Sequence, residues 1–75
     1  MTSEEIATNM FSAVIKELEA VEAKATVTVQ MLLYNPVGIA DHSEVLDEVT
    51  KWAQLGAEAR DAKKFLVDKF TEKEK

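Results

Sequence analysis

Hydrophobic residues in the first third of the chain recur every three or four positions, which is the spacing of one face of an α-helix. A step of seven then leads to Leu32, with Thr28 at the skipped position, while lysine and glutamate occupy most of the remaining surface. This heptad-like pattern predicts a long helix with a single apolar seam. The predicted seam consists of Ala7, Phe11, Val14, Leu18, Val21, Ala25 and Leu32.

Residues 2–5, Thr-Ser-Glu-Glu, have the sequence of a capping box. The Thr2 hydroxyl can accept a hydrogen bond from the Glu5 amide, and the Glu5 carboxylate can accept one from the Thr2 amide. Acidic side chains are also favourable at the positive end of a helix. The first helix is therefore predicted to begin at about residue 3.

Residues 25–33 fit two conformations. The alternating β-branched residues of ATVTVQML suit a strand. Helix is favoured, because a single strand would have no other strand in this chain to pair with. The first helix is therefore predicted to continue to about residue 34, and either conformation leaves apolar surface uncovered.

A loop is predicted at about 35–41. Pro36 lacks the amide that a helix needs and pushes Asn35 out of the helical region, and Gly38 permits a positive φ. Asp41 or Ser43 can then cap a second helix, predicted at about 42–71.

The second helix repeats the three- and four-residue spacing with one interruption, at Lys63. Its methylene stem can lie along apolar surface while the ammonium group stays in water. The tail 72–75 is predicted to fray, since it has no apolar anchor. The predicted seam consists of Val45, Val49, Trp52, Gly56, Ala59, Leu66 and Phe70.

Together these elements predict an all-α fold, in which residues 1–75 form a single antiparallel helical hairpin. Two helices of about 45 Å share only one seam, so other apolar side chains face outward. Because these side chains need to be buried, we predict that the chain assembles into a homo-oligomeric helical bundle, either a homodimer or a higher oligomer. The outward-facing set is Met10, Ile15, Val29, Leu33, Leu55 and Phe65.

Small residues surround the single tryptophan, Trp52. Gly56 costs about 1 kcal/mol relative to alanine inside a helix, which indicates that another backbone packs against it. That backbone belongs either to the first helix, through Ala13, Ala20 and Ala25, or to another chain anchored by Trp52. The residues predicted to form an interface between chains are Phe11, Val29, Leu32, Leu33, Trp52, Gly56, Phe65 and Phe70.

Composition limits the other possibilities. The chain has 75 residues, no cysteine and a net charge of −5, so its core is thin and no disulfide can reinforce it. Without a basic stripe, direct binding to nucleic acid is not expected. No signal-type or membrane-spanning segment stands out, and the expected location is cytoplasmic.

His42 is the only histidine, and Asp41, Ser43 and Glu44 lie next to it. Adjacent residues cannot take up the geometry of a catalytic triad. The Glu-x-x-His motif of carboxylate-bridged metal sites is absent, because Ile39 occupies the position of the glutamate. We therefore expect no catalytic residue, metal or cofactor, and no enzymatic activity.

The predicted function is that of a small, acidic, non-enzymatic protein–protein interaction module, an adaptor, scaffold or regulator that works as a homo-oligomer. The stretch VTVQMLLY serves either this self-interface or the recognition of a different protein. The alternative is an acidic inhibitor or mimic that blocks a basic site on a partner protein. Small auxiliary proteins of phages offer an analogy to the alternative in size and charge alone.

Overall fold

The computed structural model describes residues 1–34 and 42–71, which form two α-helices. Helix α1 is Ser3–Tyr34 and helix α2 is His42–Phe70. The two helices pack against each other, which confirms an all-helical chain with the arrangement of a helical hairpin. The loop predicted at 35–41, the tail 72–75 and the side chains of His42 and Ser43 lie outside the described residues.

The predicted capping box is present at the start of α1. The Glu5 amide donates to Thr2 Oγ1 at 3.1 Å, and the Thr2 amide donates to Glu5 Oε1 at 2.9 Å. The Ile6 amide donates to the Thr2 carbonyl at 3.0 Å. Three backbone amides near the helix start thus have acceptors, which explains why α1 begins directly after Thr2.

Residues 25–33 belong to α1, so the strand alternative for this segment is wrong. The Thr26 hydroxyl donates to the Glu22 carbonyl one turn earlier at 2.9 Å. Thr50 makes the same bond to the Leu46 carbonyl in α2. These two threonine hydroxyl groups thus find acceptors within their own helices.

The helices are antiparallel, because residues later in α1 contact residues earlier in α2. Three pairs of residues show this order: one lines a shared depression, one forms an ion pair, and one is a close approach of a side chain to the backbone. Taken along α1, they are Phe11 with Phe70, Glu19 with Lys63, and Ala25 with Gly56.

The apolar seam lies slightly to one side of the predicted one. Val14 and Phe70 were predicted on the seam, but their side chains are 46% and 69% exposed. Ile15 and Val29 were predicted to face outward, but both are half-buried. The physical reason is that the small residues Gly56 and Ala25 let the helices approach closely, and such an approach limits how each helix can be rotated about its axis.

Little of the chain is fully buried. Ala25 and Ala59 are the only buried hydrophobic residues in the described part of the chain. The radius of gyration is 16.9 Å, whereas a compact domain of this length has about 11 Å. The principal extents of 54 × 28 × 15 Å are those of a single layer of helices.

The accessible surface of the chain is larger than its mass predicts. It measures 5907 Å², and a compact monomer of 8.4 kDa has about 4,600 Å². The chain therefore exposes roughly 1,300 Å² more than a compact protein of the same mass. Within residues 1–34 and 42–71, neither helix has a stretch long and apolar enough to cross a membrane.

Candidate interaction surface

An open groove of about 400 Å³ lies on one face of the hairpin, in the half that contains the end of α1 and the beginning of α2. We call it the Trp52 groove. Its lining is mostly apolar, with charged and polar side chains at the edge. The apolar lining consists of Ala25, Val29, Leu33, Tyr34, Trp52, Ala53, Gly56 and Ala57.

The helices approach each other closely at Gly56 and Ala25, which both line the Trp52 groove. A Cβ atom added to Gly56 would lie 3.0 Å from the Cβ of Ala25, which is tighter than ordinary van der Waals contact. Glycine thus allows the α2 backbone to approach the side chain of α1. Of the two partners that the sequence left open for Gly56, the structure shows the first helix of the same chain. Ala13 and Ala20, the other small residues considered, are exposed.

Trp52 forms one side of the groove and is half-buried. The Nζ atoms of Lys24 and Lys51 each lie 5.5 Å from the centre of its ring system. Ammonium groups at this distance are attracted to the negative face of an aromatic ring. Because one lysine comes from each helix, the tryptophan links α1 to α2 beside the groove.

Large and small side chains lie next to each other along the groove. Leu33 and Tyr34 of α1 are 55% and 82% exposed. Ala53, Gly56 and Ala57 of α2 present almost no side-chain volume. One face of the hairpin therefore offers both projecting apolar groups and a shallow trough in which such groups would fit.

The edge of the groove is charged, and an ion pair joins the helices beyond it. Glu22 and Arg60 line the end of the groove nearest the middle of the hairpin. Further along, Lys63 Nζ donates to Glu19 Oε2 at 2.7 Å, joining the two helices. The hydrogen bond and the negative charge of Glu19 raise the pKa of Lys63 above its ordinary value of 10.5. The Lys63 side chain stays partly exposed, and its pairing with Glu19 was not predicted from the sequence.

The eight residues predicted to form an interface between chains do not make one surface in the isolated chain. Phe11 and Leu32 are half-buried at the seam. Phe70 lies beside Phe11 in a separate depression, and Phe65 is 56% exposed outside both depressions. A contact of these residues with another chain stays a prediction. The four that line the Trp52 groove are Val29, Leu33, Trp52 and Gly56.

Glu22, Thr26 and Arg60 also line the groove, but sequence reasoning assigned none of them to an interaction surface. All three are polar, so the hydrophobic spacing does not mark them. Tyr34 lies in the stretch VTVQMLLY, which the sequence did indicate as an interaction surface. The place of the polar residues at the groove depends on the register between the helices. That register is set by the contact of Gly56 with Ala25, which the sequence offered as one of two alternatives.

Among the side chains that the structure describes, no three histidine, aspartate or glutamate residues lie close enough to share a metal ion. The side chain of His42 is outside that part. No known protein family, characterised protein or solved structure matches the chain.

Proposed function

We propose that this protein is a small, non-enzymatic protein–protein interaction module, an adaptor, scaffold or regulator, that works as a homo-oligomer. The observation that carries the proposal is the surface excess of roughly 1,300 Å² over a compact monomer. A stable interface of standard size removes about 800 Å² from each partner. One additional chain is therefore enough to cover most of the excess.

The exposed surface includes large apolar side chains of both helices. Burying apolar surface contributes about 25 cal/mol per Å², and contiguous exposed apolar patches on a monomer mark interaction sites. Association therefore has a driving force that does not depend on charge. The side chains concerned include Met10, Val27, Met31, Leu33 and Tyr34 of α1 and Leu46, Phe65 and Phe70 of α2.

The alternative function, an acidic inhibitor or mimic, needs negative charge concentrated on one face. In the described helices, lysines are interspersed among the acidic side chains, and three of the acidic side chains pair with a lysine. Glu19 binds Lys63, Glu48 lies 3.8 Å from Lys51, and Asp68 lies 2.9 Å from Lys64. This dispersal of charge favours the interaction module over the mimic.

The experiment follows the melting temperature, by circular dichroism, over a wide range of protein concentration in low and in high salt. For a homo-oligomer, the melting temperature rises with concentration, because association stabilises the folded state by mass action. High salt should preserve or strengthen this dependence, since the contact is apolar. A melting temperature independent of concentration would contradict the proposal.

Salt also distinguishes the mimic. If this chain binds a partner from the source cell through its own acidic face, the partner should be released as the salt concentration rises, because screening weakens exposed charge pairs. Capture that survives high salt supports the interaction module. Capture lost at moderate salt, together with a monomeric chain, would support the mimic instead.

A further inference from the structure

We propose that a second copy of the chain docks on the Trp52 groove, in a twofold contact that overlaps only the groove-bearing halves of the two hairpins. Leu33 of each copy packs against the trough of Ala53 and Ala57 of the other. The inference rests on the proposed function, because it assumes self-assembly, and it adds the face, the register and the contacting residues.

The first argument is that the groove is self-complementary. A twofold interface uses the same surface patch on both copies, so that patch must carry both the projecting groups and the space that receives them. The Trp52 groove has both, with Leu33 and Tyr34 exposed on α1 and small residues on α2. A twofold axis that lies in the plane of the contact brings the two faces together and exchanges the two features between copies.

The second argument is the area available. Half of the 54 Å length of the hairpin, multiplied by its 28 Å width, bounds the flat area of this half at about 760 Å². Stable interfaces of standard size bury about 800 Å² on each partner. The two areas are of the same order, so an overlap of two half-faces matches the scale of a specific dimer without a full-length overlap.

The third argument is that the other half of this face disfavours burial. It carries Glu19, Lys63, Lys64 and Asp68, joined in two ion pairs with partly exposed side chains. Covering these charges would remove them from water, and that desolvation often exceeds the attraction gained. Glu22 and Arg60, at the end of the groove, suit the polar rim that surrounds an apolar interface.

The test compares charged substitutions inside and outside the groove. Leu33→Glu places a carboxylate in the centre of the proposed contact, and Phe65→Glu places one on an equally exposed apolar site outside it. We expect Leu33→Glu to weaken dimerisation about a hundredfold, measured by analytical ultracentrifugation, and Phe65→Glu to leave it within a few-fold of wild type. Helix content by circular dichroism should be unchanged in both.

Two further measurements keep the test decisive if Leu33→Glu does not fold. Ala53→Glu blocks the trough at an exposed helical position, so it should dissociate the dimer even if Leu33→Glu fails to fold. Trp52 is the only tryptophan, and its fluorescence reports the groove directly. Acrylamide quenching of Trp52 should fall as wild-type protein is concentrated, and should stay constant for Ala53→Glu.

Each outcome has a defined meaning. If Leu33→Glu and Ala53→Glu remain dimeric, or if only Phe65→Glu dissociates, the chain assembles through another face, and the inference is overturned while the proposed function stands. If wild-type protein is monomeric at every concentration, the proposed function fails, and the inference fails with it.

Discussion

Two contacts on the same face of α2, seven residues apart, hold the helices together in different ways. In the Gly56 contact, the α2 backbone lies directly against Ala25, with no side chain between them. In the Lys63 contact, a long side chain reaches across to Glu19 and forms an ion pair at 2.7 Å. Both residues lie at positions that face α1, because seven residues make almost two helical turns.

The two contacts differ in the surface that lies beside them. At the Lys63 contact, an ion pair joins the helices, and the depression beside it is lined mostly by charged side chains. At the Gly56 contact, the backbones approach closely, and the neighbouring large side chains, Leu33 and Trp52, stand beside an open trough. The close approach therefore stabilises the hairpin and at the same time leaves an apolar groove for another chain to cover.

The largest expected effect is that of Gly56→Leu. The first added carbon already lies 3.0 Å from the Cβ of Ala25, so a branched side chain must separate the helices. Overpacking of this kind costs about 1–3 kcal/mol in the free energy of unfolding, measurable by urea denaturation. The matched control is Gln54→Leu, at an exposed position of the same helix, which should change stability by less than about 0.5 kcal/mol. Equal effects of the two substitutions would show that Gly56 is not a close contact.

The next effect is that of Trp52→Ala. The substitution removes a half-buried ring that contacts lysines of both helices and forms one side of the groove. We expect a loss of about 2 kcal/mol in the free energy of unfolding together with weaker assembly. Trp52→Phe, which keeps an aromatic face, should lose less of both. An unchanged melting temperature and an unchanged oligomer for Trp52→Ala would contradict this role.

The smallest effect concerns the ion pair of Lys63 with Glu19. The folded-state pKa of Lys63 is raised above 10.5, so its contribution to stability is present below pH 10.5 and is lost as the pH rises through the folded-state pKa. Glu19→Gln should therefore lower the melting temperature slightly at neutral pH. The difference in melting temperature between this variant and wild type should vanish once the pH exceeds the folded-state pKa of Lys63.

Thermal melts of both proteins across this pH range measure the difference directly. The pair of Lys64 with Asp68 is retained in both proteins, so its own titration cancels in the comparison. High salt should reduce the difference at neutral pH as well, because the pair is partly exposed. A difference that persists at alkaline pH would show that the pair is not its cause.

Local signals made much of the fold predictable. The capping box at Thr2 and Glu5 depends only on residues three apart, and both of its hydrogen bonds form. The hydrophobic spacing indicated helices and a seam between them. The helical state of residues 25–33 followed from an argument about the whole chain, since a lone strand would have had nothing to pair with.

What the sequence did not predict depends on the rotation and register of one helix against the other. Hydrophobic residues three and four apart fit several rotations, so Val14 and Ile15 exchanged their predicted exposure. The ion pair of Lys63 joins residues far apart in the chain and cannot be found by counting positions along one helix. The Trp52 groove depends on the same register, and for this reason Arg60 was not predicted to line it.

The most direct test of the account is the molar mass of the purified chain, measured by light scattering over a wide range of concentration. The account predicts a particle of at least twice 8.4 kDa that dissociates on dilution, because the thin hairpin leaves apolar surface that only another chain covers. A stable, fully helical particle of 8.4 kDa at every concentration would contradict it.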